Sequence, residues 1–210
     1  MSNFVIRFLS AFFLLPIILY ILFLNNLFFY LLIILVYLIL IYEIKFLKKT
    51  SFLFFFLNII FISSFYSLLN LRGETLYDYY LLVWVMSIAW LSDIGGYLIG
   101  KIFGGPKLSK ISPNKTIAGF FGSIIFSQLS FVILILFKIE LSINIKIILI
   151  QIFLSLVSII GDLVFSYIKR KYNIKDFSHI IPGHGGILDR IDGLIFVLIF
   201  AYLFKIVNVY

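Results

Sequence analysis

The sequence contains no cysteine and few charged residues. The absence of cysteine excludes disulfides and metal sites built from thiolates, and it leaves the redox compartment undetermined. Charged residues make up 12% of the chain, against about 25% in a typical soluble domain, and 63% of the residues are hydrophobic. A soluble fold of 210 residues has too small an interior for this much apolar surface, so lipid must be the solvent for much of the chain.

Acidic residues are scarcer than basic ones, nine against 17, and the formal net charge is +8. A charge of this sign suggests nucleic acid in a soluble protein. In so apolar a chain, we instead expect anionic lipid headgroups or phosphate-bearing substrates, and no nucleic acid.

Long apolar segments predict an all-α fold, a polytopic transmembrane helix bundle of about seven spans. A helix needs about 20 apolar residues to cross the hydrocarbon core of a membrane. The first candidate resembles a signal peptide, but it is too long and lacks a small-residue cleavage site, so we expect a retained span. The candidate spans are residues 5–24, 27–42, 51–69, 77–100, 116–137, 147–168 and 193–209.

The distribution of Lys and Arg predicts the orientation of the bundle. With the N-terminus in the cytoplasm, thirteen of the 17 basic residues face the cytoplasm, which agrees with the positive-inside rule. An odd number of spans then places the C-terminus outside. The four basic residues on the outer side are Arg72, Lys138, Lys146 and Lys205.

Three polar segments interrupt the apolar pattern, and all three would face the cytoplasm. The first, residues 90–110, places Asp93 inside the fourth helix, about two turns before Lys101. It continues into a glycine-rich loop that contains Lys107, and the backbone N–H groups and lysines of such a loop can bind phosphate. An ordinary cytoplasmic loop with snorkelling lysines has the same features.

The second segment, residues 111–120, is predicted to begin a helix. Pro113 would lie near the first turn, with Ser112 before it and Lys115 at the start of the apolar stretch. This pattern is typical of a capped helix start, and equally of an anion site at a positive helix end.

The third segment, residues 161–193, is the most polar. Asp162, Ser166, Lys169 and Arg170 follow the spacing i, i+4, i+7, i+8, so they share one face of the sixth helix. Asp162 lies about 10 Å below the helix end. A carboxylate at that depth costs about 2.5–3.5 kcal/mol on insertion scales, which favours a functional role.

Two further acids follow across a loop. Asp189 and Asp192 are three residues apart on the next helix, with Arg190 between them. A glycine-rich turn precedes them and contains His184, which is typical either of a base or of a hydrogen-bonding loop residue. We expect His179 to have no role.

Clustered carboxylates repel one another unless a cation or a proton lies between them. Carboxylate oxygens favour Mg²⁺, which usually takes one or two carboxylates and completes its shell with phosphates and water. Together with Lys169, Arg170, Lys175 and Arg190, the acids indicate phosphoryl or nucleotidyl transfer. The alternative is a network of salt bridges between helices that pairs Asp162 with Lys169 and Asp189 with Arg170.

The third segment resembles the signature of the phosphatidate cytidylyltransferase family, also called CDP-diacylglycerol synthases. Upstream residues resemble further family motifs in the same order, namely Asp93, Gly96-Tyr97, Lys107-Leu108, Ser112-Pro113 and Lys115-Thr116. The resemblance covers about residues 90–193. The signature in this chain is Ser166-x-Ile168-Lys169-Arg170-x4-Lys175-Asp176-x-Ser178-x2-Ile181-Pro182-x-His184-Gly185-Gly186-Ile187-x-Asp189-Arg190-Ile191-Asp192.

The resemblance implies conversion of CTP and phosphatidate to CDP-diacylglycerol and pyrophosphate with Mg²⁺, and it leaves a second cation open. Asp162 and Asp189 would hold the metal, supported by Asp192, and Lys169 and Arg170 would act with them in catalysis. The substrate-binding set would be Ser166, Lys115, Ser112, Lys107, Asp93, Lys175, His184 and Arg190. The family usually has glutamate at two positions occupied here by Ala118 and Phe165.

The resemblance also implies a location and a division of the chain. We expect a protein integral to a bacterial inner membrane, with its site facing the cytoplasm. Its expected partners are CTP, phosphatidate and membrane lipids, and a homodimer stays open. Residues 1–75 would form N-terminal spans, and residues 76–210 the catalytic part of one integrated membrane domain.

Three other classes of membrane protein share some of these features. A CTP-dependent kinase acting on a polyprenol or phytol-like alcohol shares the membrane setting, but the complete signature argues against it. An ion-coupled transporter would use Asp93 and Asp162 as relay groups near the bilayer midplane, whereas the acids here lie toward one face. An intramembrane aspartyl protease would need a second Asp motif beside Gly161-Asp162.

Overall fold

The computed structural model describes residues 3–24, 26–47, 51–109, 111–139, 144–181 and 185–206, without the side chains of residues 3–12 and 206. Within these residues the chain is helical and contains isolated β-bridges but no β-strand. The α-helices are α1 Asn3–Leu24, α2 Leu27–Glu43, α3 Phe52–Arg72, α4 Leu76–Phe103, α5 Ile117–Ser127, α6 Phe131–Leu136, α7 Ile145–Lys171 and α8 Leu188–Ile206.

The predicted all-α membrane bundle is confirmed. Each of the seven predicted spans has a helical counterpart, and the fifth is built from α5, a 3₁₀ turn at Gln128–Ser130 and α6. Within the described part of the chain, four helical segments are long and apolar enough to cross a membrane, namely Phe52–Arg72, Leu76–Phe103, Ile117–Leu136 and Ile145–Lys171. The number of spans and the orientation of the N-terminus stay predictions.

One predicted helix start is wrong, and another helix extends beyond its predicted apolar span. The last helix begins at Leu188, so it includes Asp189 and Asp192 as predicted and starts before the span at residues 193–209, and the Leu188 N–H donates to Glu43 at 2.7 Å. The helix of the second polar segment begins at Ile117, where the Thr116 hydroxyl accepts a hydrogen bond from the Gly119 N–H at 3.0 Å. Pro113 therefore lies in the preceding turn and not in the first turn of the helix.

Helix α4 lies at the centre of the bundle and packs against α3, α5, α7 and α8. Its contact with α5 is very close because glycines face each other across it. A Cβ atom added to Gly119 would lie 2.7 Å from the Gly96 carbonyl oxygen, so no larger residue fits without a shift. Small residues permit such close backbone approach between membrane helices.

Hydrogen bonds between buried polar side chains connect the same helices. The Gln151 amide of α7 donates to the Ser127 carbonyl of α5 at 2.6 Å, and the hydroxyls of Ser92 and Ser155 lie 3.3 Å apart between α4 and α7. In an apolar environment such bonds stabilise helix association. Helices α4, α5 and α7 therefore form a hydrogen-bonded frame.

Basic residues also organise the bundle end where α1, α3 and α8 finish. The buried Arg72 guanidinium donates to the carbonyl oxygens of Leu22 and Phe23 at the end of α1, at 2.6 and 2.8 Å. Lys205 of α8 forms an ion pair with Asp78 of α4 at 3.0 Å. The acids of the three polar segments lie at the opposite end of the bundle.

Candidate active site

A cavity of about 280 Å³ lies between α4, α5 and α7, at the end of the bundle where α4 and α7 finish. Four residues selected from the sequence line it, although they come from three separate segments. They are Asp93 of α4, Ser112 and Lys115 of the turn before α5, and Asp162 of α7. Helix packing therefore brings these polar segments to one place.

The turn before α5 is held by backbone hydrogen bonds that fix the start of the helix. The Leu108 N–H donates to the Lys115 carbonyl at 2.8 Å, and the Ile117 N–H donates to the Pro106 carbonyl at 3.0 Å. Lys115 consequently belongs to a loop whose backbone is held by hydrogen bonds. Lys107 pairs with Thr116 through the backbone, and its side chain is exposed.

Lys115 forms an ion pair with Asp162 across the cavity. Both side chains are partly exposed, 29% for Lys115 and 23% for Asp162. The pair therefore lies where a ligand in the cavity can reach either charge.

Asp93, Asp162 and Asp192 come from three different helices and lie close enough for their negative charges to interact. Asp192 is 7% exposed and does not line the cavity, and its Oδ1 accepts a hydrogen bond from the Gly193 N–H at 2.8 Å. The positive charges of Lys115 and Arg190 also act on Asp93. The site thus combines three acids with at least two cations.

Glycine brings α7 and α8 close enough to place Asp162 near Asp192. A Cβ atom added to Gly161 would lie 3.0 Å from the Asp192 carbonyl oxygen, and one added to Gly193 would lie 2.9 Å from the Ser158 carbonyl oxygen. Both values are tighter than ordinary van der Waals contact. The two acids on these helices are therefore held near each other by backbone packing.

Asp189 makes its contacts within the protein. Its Oδ1 pairs with Lys169 Nζ at 2.7 Å, and its Oδ2 accepts from the N–H groups of Phe177 and Gly186 at 2.9 and 3.1 Å. The side chain is 4% exposed. Asp189 thus connects α7, the following loop and the start of α8, and its role as a metal ligand stays a prediction.

The ion pairs differ from those of the salt-bridge alternative. That alternative paired Asp162 with Lys169 and Asp189 with Arg170, whereas the structure pairs Asp162 with Lys115 and Asp189 with Lys169. Arg170 is exposed at the end of α7.

The remaining predicted residues that the structure describes do not line the cavity. Ser166 is partly buried on α7, whereas Lys175 and Arg190 are exposed. His184 lies outside the described residues, so its predicted role is not addressed by the structure.

Glu43 is a residue that the sequence analysis missed. It ends α2 and is 1% exposed, and its carboxylate accepts hydrogen bonds from Ser178 Oγ, the Ile187 N–H and the Leu188 N–H at 2.6, 2.8 and 2.7 Å. A single acid at the end of an otherwise apolar helix was the available signal, because a buried carboxylate needs partners.

The donor set of the cavity fits a divalent cation. In the part of the chain that the structure describes, no group of three or more His, Asp or Glu side chains surrounds a common metal position. Asp93 and Asp162 nevertheless offer two carboxylates to one cavity. That is the number Mg²⁺ usually takes from a protein when phosphates and water complete its shell.

The fold and the site define a class: polytopic α-helical membrane proteins with a cavity lined by acids and lysine at one end of the bundle. Comparison with known proteins gives the family. Residues 46–207 match the model of the cytidylyltransferase family, and the chain belongs to that family.

Curated relatives from bacteria are similar to part of this chain. A phosphatidate cytidylyltransferase of Staphylococcus epidermidis is 49% identical over 113 residues, 53% of this chain and 43% of the relative. One from Staphylococcus haemolyticus is 45% identical over 119 residues, 56% and 45% of the two chains. One from Bacillus subtilis is 39% identical over 142 residues, 66% and 52%. The chain therefore matches about half the length of these relatives.

Proposed function

We propose that this chain is a phosphatidate cytidylyltransferase. The observation that carries the proposal is the convergence of Asp93, Lys115 and Asp162 on one cavity, from three segments that resemble family motifs. The names of the similar bacterial proteins support the same activity. The substrates would be CTP and phosphatidate, and the products CDP-diacylglycerol and pyrophosphate.

The charges of the site suit a triphosphate and a phosphate monoester. Lys115 and Arg190 would neutralise phosphate oxygens, and Asp162 would release Lys115 to the substrate, because a bound phosphate offers the ammonium a competing anion. Asp93 and Asp162, the two acids that line the cavity, would hold Mg²⁺, and Asp192 would support them with its negative charge. When bound, this ion would supply positive charge to the phosphates and lower the repulsion between the two substrates.

The reaction requires orientation more than acid–base chemistry. An oxygen of the phosphatidate phosphate forms a bond to the α-phosphorus of CTP, and the bond from that phosphorus to the bridging oxygen of the pyrophosphate breaks. No protein nucleophile is needed, since the attacking oxygen is already ionised. The hydrogen-bonded frame of α4, α5 and α7 would hold the two phosphates in line, and such alignment accounts for most of the rate gain in reactions of this kind.

The setting of the cavity also suits a lipid substrate. The residues that line it include the apolar Phe120 and Ile159 as well as the charged Asp93, Lys115 and Asp162. The phosphate of phosphatidate would enter the polar part, and its acyl chains would stay among apolar side chains and membrane lipid. We further propose that the site faces the cytoplasm of a bacterial inner membrane, as the distribution of Lys and Arg predicts.

Purified protein in detergent, supplied with phosphatidate and CTP labelled at either the α- or the γ-phosphate, tests the proposal. Cytidylyl transfer places the α-label in the lipid product and the γ-label in pyrophosphate. A kinase acting on a polyprenol would transfer the γ-label to lipid instead. Absence of α-label from the lipid fraction, with phosphatidate present, would refute the proposed activity.

A further inference from the structure

The buried carboxylate of Glu43 reaches from the N-terminal helices to the segment that precedes α8. Glu43 is the last residue of α2, and its three hydrogen-bond donors all lie at least 135 positions later in the chain. A carboxylate that is 1% exposed requires such donors to compensate for lost hydration. Its position is therefore tied to that segment.

The donors lie on both sides of a backbone pairing between Ile181 and Gly185. In this pairing the Ile181 N–H donates to the Gly185 carbonyl at 2.9 Å, and the Gly185 N–H donates to the Ile181 carbonyl at 3.2 Å. Ser178 precedes the pairing, and the N–H groups of Ile187 and Leu188 follow it. One carboxylate thus joins the chain before the pairing to the chain after it.

The contact leaves no space for a side chain at Gly186. A Cβ atom added there would lie 2.7 Å from Glu43 Oε1 and 3.0 Å from Ser178 Oγ. A glycine at this position lets the backbone approach the carboxylate closely. The glycine of the family signature and the acid of α2 therefore form one contact.

Asp189 holds the same segment from its other side. It accepts hydrogen bonds from the N–H groups of Phe177 and Gly186 and pairs with Lys169 of α7. Glu43 and Asp189 together hold Phe177 and Ser178 on one side, and Gly186, Ile187 and Leu188 on the other, between α2 and α7. The first turn of α8, which carries Arg190 and leads to Asp192, starts from this anchored segment.

We propose that Glu43 is a positioning residue of the site, one that sets the start of α8 and through it the placement of Asp192 and Arg190. The proposal rests on the proposed function. It gives α2 a part in catalysis although Glu43 precedes the family match, which begins at residue 46. Residues 1–75 would then contribute more than membrane anchoring.

Two sets of measurements on detergent-purified protein test the proposal. Limited trypsin digestion, with cleavage sites mapped by mass spectrometry, reports on the loop through the exposed Lys171 and Lys175. Steady-state kinetics report kcat, KM for each substrate and the Mg²⁺ concentration for half-maximal activity. The variants are Glu43→Ala and Glu43→Gln, and the matched control is Glu74→Gln, a change at an exposed glutamate near the opposite end of the bundle.

Glu43→Ala should speed cleavage at Lys171 and Lys175 while sites elsewhere keep their wild-type rates. Its kcat should fall by about 10–100-fold, because small misplacements of catalytic groups have effects of this size, and more Mg²⁺ should be needed. The kcat and the cleavage rates of Glu43→Gln should lie between those of the wild type and Glu43→Ala. The Gln amide keeps one acceptor oxygen, but its NH₂ group places a donor against one of the backbone N–H groups. Glu74→Gln should match the wild type in every measurement.

The outcomes separate the two proposals. Three results for Glu43→Ala would overturn the positioning role. The first is a wild-type kcat, and the second is a loss of activity without faster cleavage at Lys171 and Lys175. The third is faster cleavage at all sites alike. A wild type without cytidylyl transfer would refute the proposed function, and loop cleavage would then still decide whether Glu43 holds the segment. If Glu43→Ala does not fold, Ser178→Ala removes one donor and should give a smaller change in the same direction.

Discussion

Replacing Asp162 by Asn removes one negative charge from the cavity and keeps the size of the side chain. Two opposite charges about 4 Å apart attract by about 4 kcal/mol at an effective dielectric constant of about 20. The side chains of Asp162 and Lys115 are 23% and 29% exposed, so solvent screens the pair and the net contribution to stability falls to about 1 kcal/mol. Removing the charge also relieves repulsion with Asp93 and Asp192. The free energy of unfolding should therefore change by less than about 1 kcal/mol.

Activity should respond very differently from stability. Because Asp162 lines the cavity that would hold the phosphates, Asp162→Asn should lower turnover by at least about 10²–10³-fold, the effect typical of losing one preorganised electrostatic group. The assay is formation of labelled liponucleotide, measured beside thermal unfolding in the same detergent. Wild-type turnover in a folded Asp162→Asn protein would refute the role of Asp162 in the site.

A matched control separates a catalytic group from a structural ion pair. Asp78 pairs with Lys205 at the other end of the bundle, and these side chains have similar exposure, 19% and 32%. Asp78→Asn should lower stability by about 1 kcal/mol or somewhat more, because Asp78 also belongs to the capping box at the start of α4, yet it should keep its activity. If the Asp162 pair were only structural, a neutral double variant with Lys115→Met would recover activity. We expect it to stay inactive.

Three further changes have expected outcomes. Chelation of divalent cations should abolish activity, and added Mg²⁺ should restore it, whereas full activity in chelator would contradict a metal-assisted site. Lys169→Ala should raise KM for a phosphate-bearing substrate and leave the buried Asp189 carboxylate without its cation, so an unchanged KM would limit Lys169 to a structural or topological role. Gly119→Ala should lower the free energy of unfolding by about 1–3 kcal/mol, measured by thermal unfolding, because its Cβ would meet the Gly96 carbonyl oxygen at 2.7 Å.

The helices and their chemistry follow largely from local sequence. Apolar runs such as residues 51–69 and 147–168 predict α3 and α7 to within a few residues. The length of an apolar helix must match the thickness of the membrane, and the start of each helix needs a local capping residue. The polar segments around Asp93, Lys115 and Asp162 were selected because charge inside an apolar chain requires compensation. That requirement holds whatever the fold.

The partners of those charges depend on tertiary structure. Lys115 pairs with Asp162, and Lys169 with Asp189, only because α7 packs against the start of α5 on one side and against α8 on the other. Helical spacing identifies residues on one face, but it does not predict which neighbouring helix supplies the opposite charge.

Glu43 shows the same division between local sequence and tertiary structure most clearly. The local sequence alone determines that an acidic residue lies at the end of the apolar helix α2. Only the folded chain brings Ser178 and Leu188 to within hydrogen-bond distance, because these donors are separated from Glu43 by more than half of the molecule. Local pattern therefore determined which groups need partners, and helix packing decided which partners they have.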